Sequence, residues 1–280
     1  MRIRYSFSSR RTGLIEGRND HKQPFPKIVR DVIRMSDIIL EIVDIRYIEK
    51  TRNLELEKMV KDEKKALIYV LNKADLIDIT KFKKTKEVNL EPYAIFSCKN
   101  KTGKGKILEI IKIAARRLKL KRAVYVGVIG YPNTGKSSVI NLIVGRKSAR
   151  TSAEAGFTKG IQKIKLNKDI FILDTPGVIP DREESVFNPA LLKKNTEIGA
   201  VQYAQVKEPD FIIFKLMKEN PDVFEKYYKI NAKGDSEILI EEYGRRNNLL
   251  RKGNKVDLDR ASRFILKDWQ EGKITQESLS

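Results

Sequence analysis

Gly130-Tyr131-Pro132-Asn133-Thr134-Gly135-Lys136-Ser137 places two glycines, a lysine and a hydroxyl at the spacing of a phosphate-binding loop. In such a loop Gly130 and Gly135 let the backbone turn so that successive N–H groups face phosphate oxygens at a helix N-terminus. Lys136 neutralises those oxygens and Ser137 ligates Mg²⁺. The flanks agree: Val124–Ile129 is a continuous apolar run of the kind that forms a buried strand, and Ser138–Val144 begins a helix. Pattern, strand and helix together set aside a chance glycine-rich turn. A phosphate loop alone does not separate ATP from GTP.

Base choice points to an earlier stretch. Asn72-Lys73-Ala74-Asp75 follows the apolar strand run Ala66–Leu71, and ligands of open α/β sheets collect where strand C-termini end. Guanine offers N1–H and N2–H₂ along one edge; a carboxylate at Asp75 can accept both, with the Lys73 stem lying on the base. By itself this tetrapeptide also fits a surface turn after a strand, and two further segments decide between the readings. Ser97-Cys98-Lys99 closes the strand Tyr93–Phe96. It resembles the Ser-Ala-Lys of GTPases, where a backbone N–H binds guanine O6, and cysteine is small enough to stand for alanine. Asp174-Thr-Pro-Gly177 ends the strand Asp169–Leu173. In phosphate-loop NTPases such an aspartate holds Mg²⁺ through water, and the glycine N–H senses the γ-phosphate. Between them, Ala155-Gly156-Phe157-Thr158-Lys159 offers Thr158 as a switch threonine that ligates Mg²⁺ when the γ-phosphate is present.

The base motif precedes the phosphate loop, the reverse of the ordinary order. In this the chain resembles the circularly permuted GTPases, and within them the YlqF/RbgA family, whose members assist assembly of the large ribosomal subunit. Asp44-Ile45-Arg46 with Thr51-Arg52-Asn53 is similar to the family's D-A-R-x-P…R-N. Gly130 to Asn141 is close to its G-x-P-N-x-G-K-S-S-x-x-N. Lys252-Gly-Asn-Lys-Val-Asp257-Leu-Asp-Arg-Ala261 and Gly272-Lys273-Ile274 resemble its C-terminal K-G-G-x-x-D-x-x-R-A and G-K-[LI]. The resemblance covers most of the chain. It implies GTP/GDP binding by Asn72, Lys73, Asp75, Ser97, Cys98, Lys99, Asn133, Thr134, Gly135, Lys136, Ser137, Ser138 and Gly177. It also implies Mg²⁺ held by Ser137, Thr158 and Asp174, and catalytic parts for Lys136, Thr158 and Asn133.

The chain departs from the family in places. The family's N-terminal F-P-G-H-M-x-K survives only as Phe25-Pro26-Lys27, and the sole histidine, His21, lies before it; an ordinary solvated role suits His21 better than catalysis. The proline before the switch glycine is Ala155. Phosphoryl transfer to water commonly uses a glutamine immediately after the Asp-x-x-Gly motif, where this chain has Val178-Ile179. The resemblance therefore implies a hydrophobic-substituted, slow GTPase, with Asn133 at the position that coordinates K⁺ in related enzymes. Acceleration by K⁺ and by a ribosomal partner is expected. A nucleotide-gated RNA-binding module of another process, such as tRNA modification, with negligible hydrolysis stays open as the alternative.

Composition places these motifs in an RNA-facing protein. The net charge of +20 is uneven: residues 81–122 carry 14 Lys/Arg against 3 Asp/Glu, and residues 1–35 carry 9 against 3. Nearly single-sign stretches favour contact with a polyanion over a mixed solvated surface. Between Lys104 and Arg122, apolar residues follow helical spacing, while Lys112, Arg116 and Lys119 recur on another face. Lys101–Lys106 imitates a second phosphate loop but lacks its spacing, and reads as the turn into this helix. The one cysteine, Cys98, excludes an intrachain disulfide, and a structural place beside the base suits it better than nucleophilic chemistry.

The elements follow. Residues 1–35 read as a basic N-terminal segment, and 36–180 as an α/β phosphate-loop domain, circularly permuted, with a mostly parallel sheet and flanking helices. Residues 185–280 read as a small all-helical domain expected to contact RNA or the ribosome, with helices over Tyr203–Met217, Pro221–Tyr228, Ser236–Gly244 and Asp257–Gln270, the last capped by Asp257. The linker between the domains leaves directly from Gly177, so the switch that senses nucleotide is also the interdomain connection. No signal-peptide core and no apolar run of membrane-spanning length is present. A cytoplasmic, monomeric partner of rRNA and the large subunit is expected.

Overall fold

The computed structural model describes residues 25–85, 89–145, 161–174, 194–220 and 222–274. Its centre is a six-stranded sheet made of β1 (Ile38–Asp44), β2 (Ala66–Asn72), β3 (Tyr93–Ile95), β4 (Val124–Ile129), β5 (Gln162–Lys165) and β6 (Ile170–Asp174), in the order β3-β2-β1-β4-β6-β5. All neighbours pair in parallel except β5, which runs antiparallel to β6 along the edge. β1 and β4 sit in the middle and are covered on both faces, so their sequences run apolar without alternation except at the buried Glu41 and Asp44 of β1.

Helices coat the two faces. On one lie α5 (Lys104–Leu118) and α6 (Lys136–Val144), whose Ile107, Ile111, Val139, Ile140 and Ile143 pack on Leu40, Ile42, Val70 and Val126. The other carries α1 (Phe25–Met35), the short α2 (Ile48–Thr51), α3 (Leu54–Asp62) and α4 (Ile79–Thr85). In α1, Val29 and Ile33 meet Ile39 and Ile129, while Ile28 and Val32 meet Leu173. This helix lies within the stretch read from charge as an N-terminal segment; its buried stripe at i, i+1, i+4, i+5 belongs to the sheet's core.

α5 ends earlier than its charge pattern predicts. Lys119 is already left-handed (φ 49°) and its N–H closes the last turn on the Arg116 carbonyl, so Lys119 drops out of the helical stripe. Lys112 and Arg116 remain exposed on it. The Lys101–Lys106 run is the turn into α5, with Gly103 at the cap (φ 88°).

The C-terminal part comprises α7 (Pro209–Glu219), α8 (Val223–Tyr228), α9 (Ser236–Arg246) and α10 (Leu258–Gln270), packed around Ile213, Leu216, Phe224, Leu239 and Ile265 with Phe224 stacked on Trp269 at 5.2 Å. Asp257 caps α10 by accepting from the Arg260 N–H, as the sequence predicts. Two readings change. The domain is not all-helical: β7 (Leu250–Arg251) and β8 (Lys255–Val256) form a small hairpin whose turn, Lys252-Gly253-Asn254, has positive φ at Gly253 and Asn254. The stretch read as one helix from Tyr203 divides into a 3-10 turn (Tyr203–Gln205) and α7, because Pro209 has no N–H to donate and sits in the new helix's first turn. Pro221 lies outside the described residues. Among the described residues, no helix is long and apolar enough to cross a membrane.

Candidate nucleotide-binding site

Register brings the motifs to one edge of the sheet. Asp44 pairs with Asn72, Leu71 with Ile95, and Val128 with Asp174; the base motif, the Ser97 segment, the phosphate loop and Asp174 therefore all leave from strand C-termini.

At the base end, the Asp75 carboxylate accepts a hydrogen bond from the Ser97 hydroxyl at 2.5 Å. Ser97 Oγ itself accepts from the Asn100 N–H at 3.0 Å, so one side of Asp75 is held and its direction set. The Asn72 side-chain amide is buried and donates to the Thr134 carbonyl at 2.8 Å. That bond fastens the base motif to the phosphate loop across the β2 and β4 ends. Cys98 is half-buried, and burial pushes its thiol above the usual range; the protonated thiol fits a packing role beside the base. Lys99 is exposed at the rim.

Lys73 takes a left-handed turn (φ 65°), and its ammonium meets Asp44 Oδ2 at 2.9 Å. Asp44 is fully buried and also accepts from Arg46 Nε at 3.1 Å and Nη2 at 2.8 Å. Burial opposes ionisation there, yet the hydrogen bonds and charges of Arg46 and Lys73 hold the carboxyl below the usual range. The resemblance of the Asp44-Ile45-Arg46 segment carries no role for Asp44 by itself. Asp44 anchors the Lys73 head, which leaves the aliphatic stem to face the pocket.

At the phosphate end, β4 runs into a loop with positive φ at Gly130 (144°), Asn133 (58°) and Gly135 (96°), and then into α6. A Cβ at Gly130 would drive into the Ile42 backbone, so this close approach requires glycine. Lys136 donates to the loop's own carbonyls, Gly130 at 3.1 Å and Tyr131 at 2.6 Å. Burial lowers its ammonium to about 8, with Asp174 pulling the other way. Ser137 and Ser138 are exposed in the first turn of α6. Thr134 is buried, its hydroxyl donating to the Tyr131 carbonyl at 2.9 Å. Asn133 donates its side-chain amide to the Gly199 carbonyl, a contact that spacing did not anticipate.

A cavity of about 320 Å³ gathers Asn72, Lys73, Asp75, Cys98 and Lys99 with Asn133, Gly135 and Ser138, and is bordered by Gln270 and Glu271 at the end of α10. A larger groove of about 570 Å³ lies between residues 45–50 and 77–85; it takes in Ile45 and Arg46 but none of the base-motif or phosphate-loop residues, so motif geometry and not volume marks the candidate site. The Ser137 hydroxyl and the Asp174 carboxylate are hard oxygen donors at the same edge, a set that suits Mg²⁺, which takes few protein ligands. Thr158 and Gly177, along with His21, Ala155 and Val178-Ile179, lie outside the described residues.

Comparison with known proteins agrees with this geometry. The family described as "50S ribosome-binding GTPase" matches residues 125–240. An uncharacterised GTP-binding protein of Methanocaldococcus jannaschii is 37% identical over 257 residues, covering 90% of this chain and 66% of that protein. Nucleolar GTP-binding protein 2 of Saccharomyces cerevisiae is 32% identical over 252 residues, covering 87% of this chain and 50% of that protein. The chain thus spans half to about two thirds of the length of these relatives. GNP-bound YlqF from T. maritima has the same fold, with a TM-score of 0.58 at 23% identity over 89% of this chain and 94% of that one. With its base motif on β2 ahead of the phosphate loop on β4, in one sheet that runs through both, this chain belongs to the circularly permuted GTP-binding proteins and has the fold of YlqF.

Proposed function

We propose that the chain binds guanine nucleotide, hydrolyses GTP slowly, and uses nucleotide state to gate its attachment to the large ribosomal subunit. The Asn72–Thr134 bond carries the reading, because it holds a guanine-selecting carboxylate and a phosphate loop at one pocket.

In this reading Asp75 accepts from guanine N1–H and N2–H₂, the Lys73 stem covers the base, and backbone N–H groups beside Cys98 take O6, with Ser97 and Lys99 framing them. The loop N–H groups from Asn133 to Ser138 bind the phosphates, and Lys136 exchanges its two carbonyl partners for phosphate oxygens. Ser137, Thr158 and Asp174 would hold Mg²⁺, which neutralises charge on the transferring phosphoryl group. Gly177 would read the γ-phosphate. Asn133 Nδ2 is taken by Gly199, so its oxygen is the atom left for K⁺.

The partner reading rests on charge and on kin. The exposed Lys112 and Arg116 lie on α5, within the strongly basic stretch 81–122, and the relatives are named nucleolar and ribosome-binding GTPases. In this reading the protein is an assembly factor with rRNA contacts on α5 and on the C-terminal domain, acting as a monomer in the cytoplasm. The hydrophobic Val178-Ile179 after the switch glycine favours a second reading, a nucleotide-gated RNA-binding module with negligible hydrolysis. Single-turnover GTP hydrolysis, with and without large subunits and in K⁺ or Na⁺, separates the two. Turnover that rises with subunits and K⁺ supports the first; no turnover in any arm supports the second.

A further inference from the structure

The cavity at the base motif has a wall from another part of the chain. Gln270 and Glu271, at the end of α10 in the C-terminal domain, border it opposite Asn72 and Asp75. Gln270 is not free to act as a ligand. Its Oε1 accepts from the Tyr203 N–H at 3.1 Å, and its Nε2 donates to the Thr196 carbonyl at 2.8 Å and the Val201 carbonyl at 2.9 Å. One side chain therefore ties both ends of the turn 196–201. That turn also closes on itself, with Gly199 N–H donating to Thr196 and Val201 N–H to Asn195.

The same turn touches the phosphate loop. Its Gly199, left-handed at φ 75°, aims its carbonyl at Asn133, which donates to it. Just before the turn, Lys194 lies over the Tyr131 ring at 5.5 Å, and Glu197 within it pairs with Lys50 at 2.7 Å. A continuous path thus runs from the end of α10 through Gln270 and the 196–201 turn to the loop that holds the phosphates.

We propose that Gln270 is a positioning residue of the nucleotide site: by ordering the 196–201 turn, it sets the Gly199 carbonyl on Asn133 and keeps the end of α10 as the outer wall of the base pocket. Guanine nucleotide is then held by two domains, and anything that lifts the C-terminal domain speeds its release. This rests on the nucleotide assignment above and adds a route by which a partner of the C-terminal domain drives nucleotide exchange.

The test is the release rate of a fluorescent GDP analogue from the full chain, chased with unlabelled GDP. Gln270→Ala removes all three bonds. Gln270→Glu keeps the acceptor for Tyr203 and loses both donations. Each should release GDP about three- to tenfold faster, the range expected for loss of about one net hydrogen bond. Tyr228→Phe is the control, since it loses only the bond to Asp268 inside the same domain and should leave release unchanged. In an Asn133→Ala background, Gln270→Ala should change release less than about twofold, because the path is already cut. Wild-type release in both Gln270 variants overturns the proposal, as does a Gln270 effect of full size without Asn133. Hydrogen exchange on the unmutated chain gives an independent reading: GDP should raise protection at residues 194–205 and 266–272, and unchanged protection there also overturns it. Failure of the unmutated chain to bind GDP would instead sink the nucleotide assignment, a distinct result.

Discussion

In the proposed guanine site, Asp75 is the selecting carboxylate. Ser97 holds one of its oxygens, so the group is aimed before the base arrives, and Asp75→Asn should invert one donor–acceptor match. GDP affinity should fall by about 2–4 kcal/mol, with preference moving toward xanthine nucleotides. Calorimetry that finds GDP binding unchanged refutes the guanine assignment. Lys136 carries a pH signature. Burial lowers it to about 8 in the nucleotide-free protein, whereas phosphate requires the ammonium. Below pH 8 the lysine is already protonated and adds no pH dependence; above pH 8 binding must take up a proton, so GDP affinity should decline toward tenfold per pH unit. A titration of affinity against pH from 7 to 9.5 measures this, and a flat profile removes Lys136 from phosphate binding.

At the scale of elements, β1 and α3 share a buried carboxylic acid. Glu41 on β1 is pushed up to about 8, first by burial and then by the charge of Glu57 on α3, and it accepts from the Asn53 N–H at 2.7 Å. Glu57 stays ionised, gripped by Arg52 at 2.8 and 2.9 Å and by the Tyr69 hydroxyl at 2.9 Å. The native state therefore binds a proton at Glu41 that the unfolded chain releases above its ordinary carboxylate range. Stability contributed by this group is present at low pH and is lost as pH rises from about 4.5 toward 8. Glu41→Gln should flatten that decline, and denaturant unfolding at pH 5 and pH 8 would show it; parallel declines in variant and wild type would exclude the mechanism. On α5, Lys112 and Arg116 define a shorter stripe than the sequence suggests. Replacing both by Gln should lower the salt slope of large-subunit binding by about 1.5–2, each phosphate contact contributing just under one unit. Sedimentation across a salt series would read it, and an unchanged slope would leave the stripe as solvated surface.

For the whole molecule, the question is whether the two domains unfold as one. The sole tryptophan, Trp269, sits in the C-terminal core beside Phe224, one residue before the Gln270 tie. GDP at a hundred times its dissociation constant should stabilise whatever unit binds it by about 2.7 kcal/mol. Because α10 borders the nucleotide cavity, the tryptophan fluorescence transition in denaturant should shift with GDP by that amount. A tryptophan transition that ignores GDP would show the C-terminal domain unfolding independently.

The candidate chemistry was legible in local sequence. Gly130 to Ser137, Asn72 to Asp75 and Asp174 are local patterns whose residue types suit particular atoms of a nucleotide, and the apolar runs before them are strands whose ends meet at one edge. Their inverted order was legible for the same reason, and so was the Asp257 cap. What depended on partners distant in sequence was not. Asp44 anchoring Lys73, Asn72 joined to Thr134, the buried acid at Glu41 and the Gly199 contact on Asn133 all arise from residues brought together by sheet register and domain packing, which no single window of sequence contains. The α1 stripe and the Lys252–Asn254 hairpin were hidden differently: charge masked the first, and positive-φ turn residues, readable only against a paired strand, made the second.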